Sequence, residues 1–280
     1  MAIPKEVREY AADIPHPSGL IGCRCGSLSL DCCEYDIAII AEGKNSVVKL
    51  GKYTVETIYL KPLKEHLVDI KDIEIFKDSK TLLLSSTAKE ITDAKYGRLL
   101  AAAGKKQLVA SLFFQQKTKS AKQPILAALW LKIAAYRHMA GTLTISGVRP
   151  MPLHELDQIR QQDLTSEVAD GVNASLECIG VERATRSQIT RSIEAFAEIK
   201  SNDYDRDLVL AKAEYLLNNG KLADSYYYMG RILADMVSSK SEQHLARYSK
   251  LYQIALDLGS VQNLERIQKV LFRATKRGLN

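Results

Sequence analysis

The chain has 280 residues, 46% of them hydrophobic and 26% charged, a balance that supports a buried core and excludes a disordered or low-complexity protein. Its net charge of +6 is spread along the sequence, +4 over residues 1–122 and +2 over 123–280, which suits a phosphate-bearing partner without requiring one. No apolar run reaches the length of a membrane span, and the N-terminus lacks an apolar signal core, so the sequence predicts a cytosolic protein with no membrane partner.

In chain order, residues 5–12 form a short helix candidate between Pro4 and Pro15, and residues 20–25 read as a strand or helix end. A strand is predicted over 35–41, followed by a turn at 42–45. Residues 47–50 and 53–60 flank Gly51-Lys52 as a tight hairpin. Short β-rich pieces follow at 73–76 and 82–84. After Thr87 the apolar period changes from two to about 3.6, and 88–116 reads as one or two helices. The polar run 115–122 is the best linker or exposed-loop candidate. Pro124 opens an apolar helix to about His138, with Gly141 past its end. Further helices are predicted near 153–162, 164–179, 184–200, 205–218, 221–238, 241–258 and 261–277. The fold class is therefore α+β: a small mixed-sheet domain over 1–122, then an all-α helical bundle over 123–280.

Four of the five cysteines, Cys23, Cys25, Cys32 and Cys33, fall within eleven residues. Adjacent Cys32 and Cys33 lack the C-x₂-C spacing of zinc sites, and the cluster reads as small thiols packed around a tight turn in a reducing compartment. The five histidines make no metal-ligand spacing, and Tyr226-Tyr227-Tyr228 reads as helix-bundle core.

The chemistry-bearing stretch is Gly26 to Ile40, GSLSLDCCEYDIAII. Glu34 and Asp36 stand two residues apart at a strand start, so their side chains share a face, and two carboxylates so placed can grip a divalent cation. A Gly-Ser turn, then an acidic-x-acidic triplet running into an apolar strand, resembles the signature of the DNA polymerase β-like nucleotidyltransferase superfamily. The resemblance covers about residues 20–90 and extends to the segment 75–82, which is similar to the piece that closes such sheets. It implies that Gly26 and Ser27 meet a phosphate of a nucleoside triphosphate. It also implies that Glu34, Asp36 and, from the neighbouring strand, Glu56 are the catalytic Mg²⁺ ligands. In an alternative register Asp36 is the first acid and Ala38 takes the second place, removing a ligand.

Nucleotidyl transfer to an unknown hydroxyl acceptor is the activity this implies. The alternative is a catalytically degenerate domain of the same fold whose helical half binds RNA or a protein. Outside the resemblance, Arg266, Lys269, Arg273 and Arg277 recur at spacings of three and four on the last helix, a basic stripe open to RNA or an acidic partner or simply solvated. Lys105 and Lys106, and the trio Lys117, Lys119 and Lys122, are further candidates for phosphate contact.

Overall fold

The computed structural model describes residues 3–199 and 205–280. The chain forms two compact units, Met1–Leu99 and Leu100–Asn280. It is α+β as expected, a small mixed sheet followed by helices.

The first unit starts with α1 (Lys5–Ala12) and β1 (Ser18–Ile21), then a 3₁₀ turn over Gly22–Cys25. After it come β2 (Tyr35–Ile39), β3 (Ser46–Leu50), β4 (Tyr53–Tyr59), β5 (Glu74–Lys77) and α2 (Leu83–Glu90). The sheet order is β3-β4-β2-β1-β5, with β2 and β4 parallel and the other pairs antiparallel. The chain leaves β2, forms the edge strand β3, and turns back at Gly51, whose φ of +58° only glycine adopts cheaply. Strand β4 is thereby inserted between β3 and β2.

Strand alternation divides the apolar residues between two cores. Leu20, Tyr35, Ile37, Ile39 and Val55 face α1, whose Val7 and Ala11, one helical turn apart, are buried against them. Ile21, Ala38, Leu60, Ile70 and Ile91 form the core on the other face.

Residues 82–84, expected as a strand, instead start α2. Asp78 is the reason: its carboxylate accepts from the backbone N–H groups of Ser79, Leu84 and Ser85 and from Ser85 Oγ, satisfying donors that the first helical turn leaves open. Burial alone would raise the Asp78 pKa, yet those hydrogen bonds hold it below the usual carboxylate value.

The chain continues with α3 (Asp93–Ser120), α4 (Pro124–Ile145), α5 (Glu155–Arg160), α6 (Ser166–Ile179), α7 (Arg186–Glu198), α8 (Arg206–Asn218), α9 (Leu222–Ser238), α10 (Glu242–Arg247), α11 (Ser249–Ala255) and α12 (Leu264–Leu279). The expected end of α7 at residue 200 lies outside the described residues. The run 115–122, expected as a linker, is mostly the last turn of α3: Phe114, Gln115 and Thr118 are buried at helical spacing, so polar composition hid an amphipathic period. The division between units falls inside α3, upstream of the 122/123 boundary expected from composition.

The second unit is organised on α4, which is buried on nearly every side and contacts α6, α12 and α9. Gly141, expected beyond its end, lies within the helix. A Cβ there would meet Leu108 and the Gly104 carbonyl of α3, so the two glycines permit a close helix crossing. Tyr226, Tyr227 and Tyr228 are all buried, as their helical context predicted.

Three polar groups are tied into this apolar interior. Lys132 Nζ donates to the carbonyls of Ile179 at 2.9 Å and Leu256 at 2.6 Å, capping the ends of α6 and α11. Burial lowers its pKa to about 8. Glu155 accepts from Tyr227 Oη at 2.6 Å and from Arg231 Nε at 3.0 Å, and Arg231 also pairs with Asp235. His138 bonds Thr275 Oγ1 through Nδ1 at 3.1 Å, while its Nε2 faces Gly171 and has no hydrogen-bond partner among the described residues.

Burial holds the His138 pKa at about 4, against 6.5 for the free side chain. Between those values the unfolded chain binds the extra proton and the folded one does not, so stability falls as pH drops through that window. The loss attributable to this residue reaches about 3 kcal/mol by pH 4. We expect His138→Gln, which cannot titrate, to lack this increment, so that the stability gap between wild type and variant in urea unfolding shifts in the variant's favour from pH 7 to pH 4. A gap that stays constant with pH would refute the assignment.

Candidate metal centre

The carboxylates come together through strand register. Parallel pairing sets Asp36 of β2 beside Glu56 of β4, and antiparallel pairing sets Ile21 of β1 beside Asp36. Tyr35, Ile37 and Val55 point into the α1 core, so Asp36 and Glu56, one position out of phase, share the opposite face. Glu34, immediately before β2, has the same parity as Asp36 and is buried, 8% exposed. One oxygen from each of Glu34, Asp36 and Glu56 lies within 4.8 Å of the others. Ala38, the second acid position of the alternative register, is fully buried in the apolar core and contributes no ligand.

Two neighbours hold this arrangement. Gly22 adopts φ +79°, and a Cβ built on it would collide with Asp36 Oδ2, so the missing side chain leaves the space that carboxylate fills. Arg24 donates through Nε to the Cys33 carbonyl at 3.2 Å and through Nη2 to the Asp31 carbonyl at 3.3 Å, and its guanidinium lies 4.7 Å from the Tyr35 ring centre. It thereby staples the loop before β2 to the 3₁₀ turn and fixes the residue that precedes Glu34. Sequence reasoning missed both, although Gly22 and Arg24 interrupt a run otherwise made of apolar residues and cysteine.

Gly26 and Ser27 are exposed. The Gly26 N–H, expected to approach a phosphate, donates to the Cys23 carbonyl at 3.1 Å and closes the 3₁₀ turn. Its backbone is extended, with φ −126°, a conformation open to any residue. The glycine the centre needs is therefore Gly22.

The thiols are unequal. All five are free. Cys25 Sγ donates to the Leu20 carbonyl at 3.2 Å, and burial raises its pKa. Cys33 is buried and its sulfur accepts the Leu30 N–H at 3.3 Å. The Cys23 sulfur lies within 4.8 Å of that of Cys33; interaction with this neighbouring thiol, then burial, then the charges of Asp36 and Glu34 push its pKa far up.

In the second unit, Lys117 packs over Trp130 at 4.4 Å, and Lys117 and Lys119 both lie in α3 and not in a loop, whereas Lys122 falls in the bend between α3 and α4. On α12, Ile267, Leu271 and Thr275 are buried while Arg266 pairs with Glu177 of α6. Lys269 and Arg273 line a groove of about 530 Å³ together with Phe272 and Lys119 of α3, and Glu265 is the acid at its rim. Among the described residues no helix is long and apolar enough to cross a membrane.

No family model and no curated protein matches the chain. Among solved structures it is similar to a nucleotidyltransferase-like protein from Exiguobacterium sibiricum, at 14% identity, covering 90% of this chain and 86% of that one. The TM-score is 0.33, too low for the likeness to carry any argument about the site.

Replacing Gly22 with alanine places a methyl group where Asp36 Oδ2 lies, in a backbone conformation costing about 1–3 kcal/mol for a non-glycine residue. We expect Gly22→Ala to lower the midpoint of thermal unfolding and to weaken divalent-cation binding in calorimetry, whereas Gly26→Ala changes neither. Equal effects from the two would show that Gly22 has no special part in seating Asp36.

Proposed function

We propose that the first unit is a Mg²⁺-dependent nucleotidyltransferase, moving a nucleotidyl group from a nucleoside triphosphate to a hydroxyl acceptor. The observation that carries this reading is the convergence of Glu34, Asp36 and Glu56 on one patch, with an oxygen of each within 4.8 Å of the others. It agrees with the resemblance in residues 20–90.

The donor set fits the ion. Mg²⁺ takes oxygen ligands at about 2.1 Å in octahedral geometry, which puts neighbouring ligand oxygens about 3 Å apart and opposite ones about 4.2 Å apart. Carboxylates within 4.8 Å reach those separations by small side-chain rotations. Three protein ligands leave places for water and phosphate oxygens. When bound, the ion neutralises triphosphate charge and organises in-line displacement.

The chain's own residues supply position. Register holds Asp36 against Glu56, Arg24 fixes the approach of Glu34, and Gly22 leaves room for the Asp36 carboxylate. In the transfer the acceptor hydroxyl gives up its proton to solvent and its oxygen forms a bond to the α-phosphorus. The bond from that phosphorus to the bridging oxygen breaks, and pyrophosphate leaves.

Asp36→Asn keeps the shape and removes one charged ligand. We expect Mg²⁺-dependent consumption of nucleoside triphosphate to fall more than about 100-fold, beyond the loss from removing an outer partner of a metal site. The unfolding midpoint should hold or rise, because one of three mutually repelling carboxylates is neutralised. Unchanged turnover would overturn the catalytic reading. Wild-type calorimetry with no metal-coupled nucleotide heat would favour the degenerate-domain alternative.

The groove on α12 favours a partner for the second unit. Lys119, Lys269 and Arg273 around Phe272 present cations beside an aromatic face, a combination suited to single-stranded RNA. We expect fluorescence anisotropy with a labelled RNA oligonucleotide to show binding that weakens with salt. The double charge reversal Lys269→Glu/Arg273→Glu should flatten that slope. A slope identical in the two proteins would remove this groove from consideration.

A further inference from the structure

The sheet face that carries the carboxylates also carries a cation. Antiparallel pairing of β3 with β4 sets Val47 opposite Glu56 and Lys49 opposite Thr54. Val48, Leu50 and Tyr53, one position out of phase, pack against the α1 core. Val47 and Lys49 therefore stand on the other side of the sheet, the side of Asp36 and Glu56. Continuing the β2–β4 register back by one residue places Glu34 beside Thr54. Lys49, Thr54 and Glu34 thus form one row across the sheet, next to the row of Val47, Glu56 and Asp36. Lys49 is exposed, and it is the diagonal neighbour of Glu56, a separation of about 7–8 Å that a long side chain spans.

Further along the same face, Ala38 and Ile58 belong to the second apolar core. The polar residues are gathered at the opposite end, where β2 and β4 begin and the Gly51 hairpin turns. A triphosphate brought to three carboxylates meets strong like-charge repulsion, and cations on the protein are what offset it beyond the metal. The Gly26 N–H does not serve, since it is committed to the Cys23 carbonyl. Lys49 is the cation that strand register puts beside the centre.

We propose that Lys49 binds the β- and γ-phosphates of the nucleoside triphosphate whose α-phosphorus faces Glu34, Asp36 and Glu56, an inference that rests on the transferase reading for the substrate of this site. The charge-rich phosphate tail, not the uncharged nucleoside, lies toward the β3 edge. The ammonium donates charge-assisted hydrogen bonds to its oxygens and stabilises the departing pyrophosphate. The same contact makes the site favour a triphosphate over a monophosphate. A lysine that merely balanced the carboxylates would behave in the opposite sense: removing it would strengthen Mg²⁺ binding and leave phosphate binding equal or stronger.

Calorimetry on the full-length chain with inorganic tripolyphosphate in excess Mg²⁺ reads the contact without turnover. Lys49→Ala should bind tripolyphosphate at least about tenfold more weakly than wild type, the loss expected for one hydrogen-bonded charge. Lys49→Arg should keep most of the affinity. Lys52→Ala removes the same charge from the same hairpin, but Lys52 Nζ lies 5.3 Å from the centre of the Tyr53 ring, so this variant should match wild type. Equal tripolyphosphate affinity in wild type and Lys49→Ala, or an equal loss in Lys52→Ala, would overturn the assignment.

The two readings fail separately. Loss of tripolyphosphate binding in Lys49→Ala, in a wild-type protein that consumes no nucleoside triphosphate, removes the transferase reading and keeps the phosphate contact. Turnover that depends on Asp36, with undiminished tripolyphosphate binding in Lys49→Ala, removes the phosphate contact alone.

Discussion

The parallel pairing of β2 with β4 is the constraint on which the candidate centre depends. Hydrogen bonding fixes register, and because side chains alternate, register also fixes which residues share a face. Here it sets Asp36 beside Glu56 and, on the other side of the same strands, Tyr35 beside Val55 in the α1 core. A slip of one residue would turn the acids into that core and the aromatic and aliphatic side chains out of it. The carboxylates are thus held by the burial of their neighbours. Fully buried Ile37 and Val55 each contribute on the order of 2 kcal/mol by leaving water. That apolar term offsets the repulsion of three acids gathered on one patch.

The second unit obeys the same rule with different parts. Helix α4 is apolar all round and therefore has no solvent face to orient it. Its orientation comes from a few polar groups that must find partners. Lys132 reaches the carbonyl ends of α6 and α11, Arg137 reaches Asp235 of α9, and His138 reaches Thr275 of α12. Each buried polar group would cost several kcal/mol if rotated away from its partner, so a handful of them selects one rotation of the helix among many equally apolar ones. The break after Ala255 follows from this: the carbonyls of Leu256 and Asp257 turn toward the Lys132 ammonium instead of continuing a helix.

Much of the fold was legible because periodicity records which face is buried. Helix α1, the Gly51 hairpin and the boundaries of α6, α8 and α9 follow from apolar spacing and from stop residues such as Gly180 and Gly220. The misreadings share a cause: a local composition signal met a tertiary partner. Leu82 to Leu84 read as a strand until the Asp78 carboxylate, four to six residues earlier, collected the backbone donors of a helix start. Gly141 read as a helix stop because its role is set by Gly104, far away in sequence. Residues 115–122 read as a linker because Gln115 and Thr118 are polar, yet Gln115 Nε2 bonds Ser111 and Thr275 inside the bundle.

At the centre itself, parity alone put Glu34 and Asp36 on one face, and an embedded acid in an apolar strand singled out Glu56. What no spacing rule offered was the surround. A glycine can be recognised in sequence, but whether its φ is positive depends on where the chain must turn, and here the need falls on Gly22 while Gly26 lies extended. The same limit applies to the cysteines. Adjacent Cys32 and Cys33 argued against a shared ion because neighbouring residues cannot both reach inward, and that argument holds for the pair it considered. The 3₁₀ turn instead folds Cys23 back against Cys33, a partnership that depends on Gly22 permitting the turn and Arg24 closing it. The two residues that seat Asp36 and approach Glu34 therefore also bring the sulfurs together, so carboxylates and thiols are positioned by one local device.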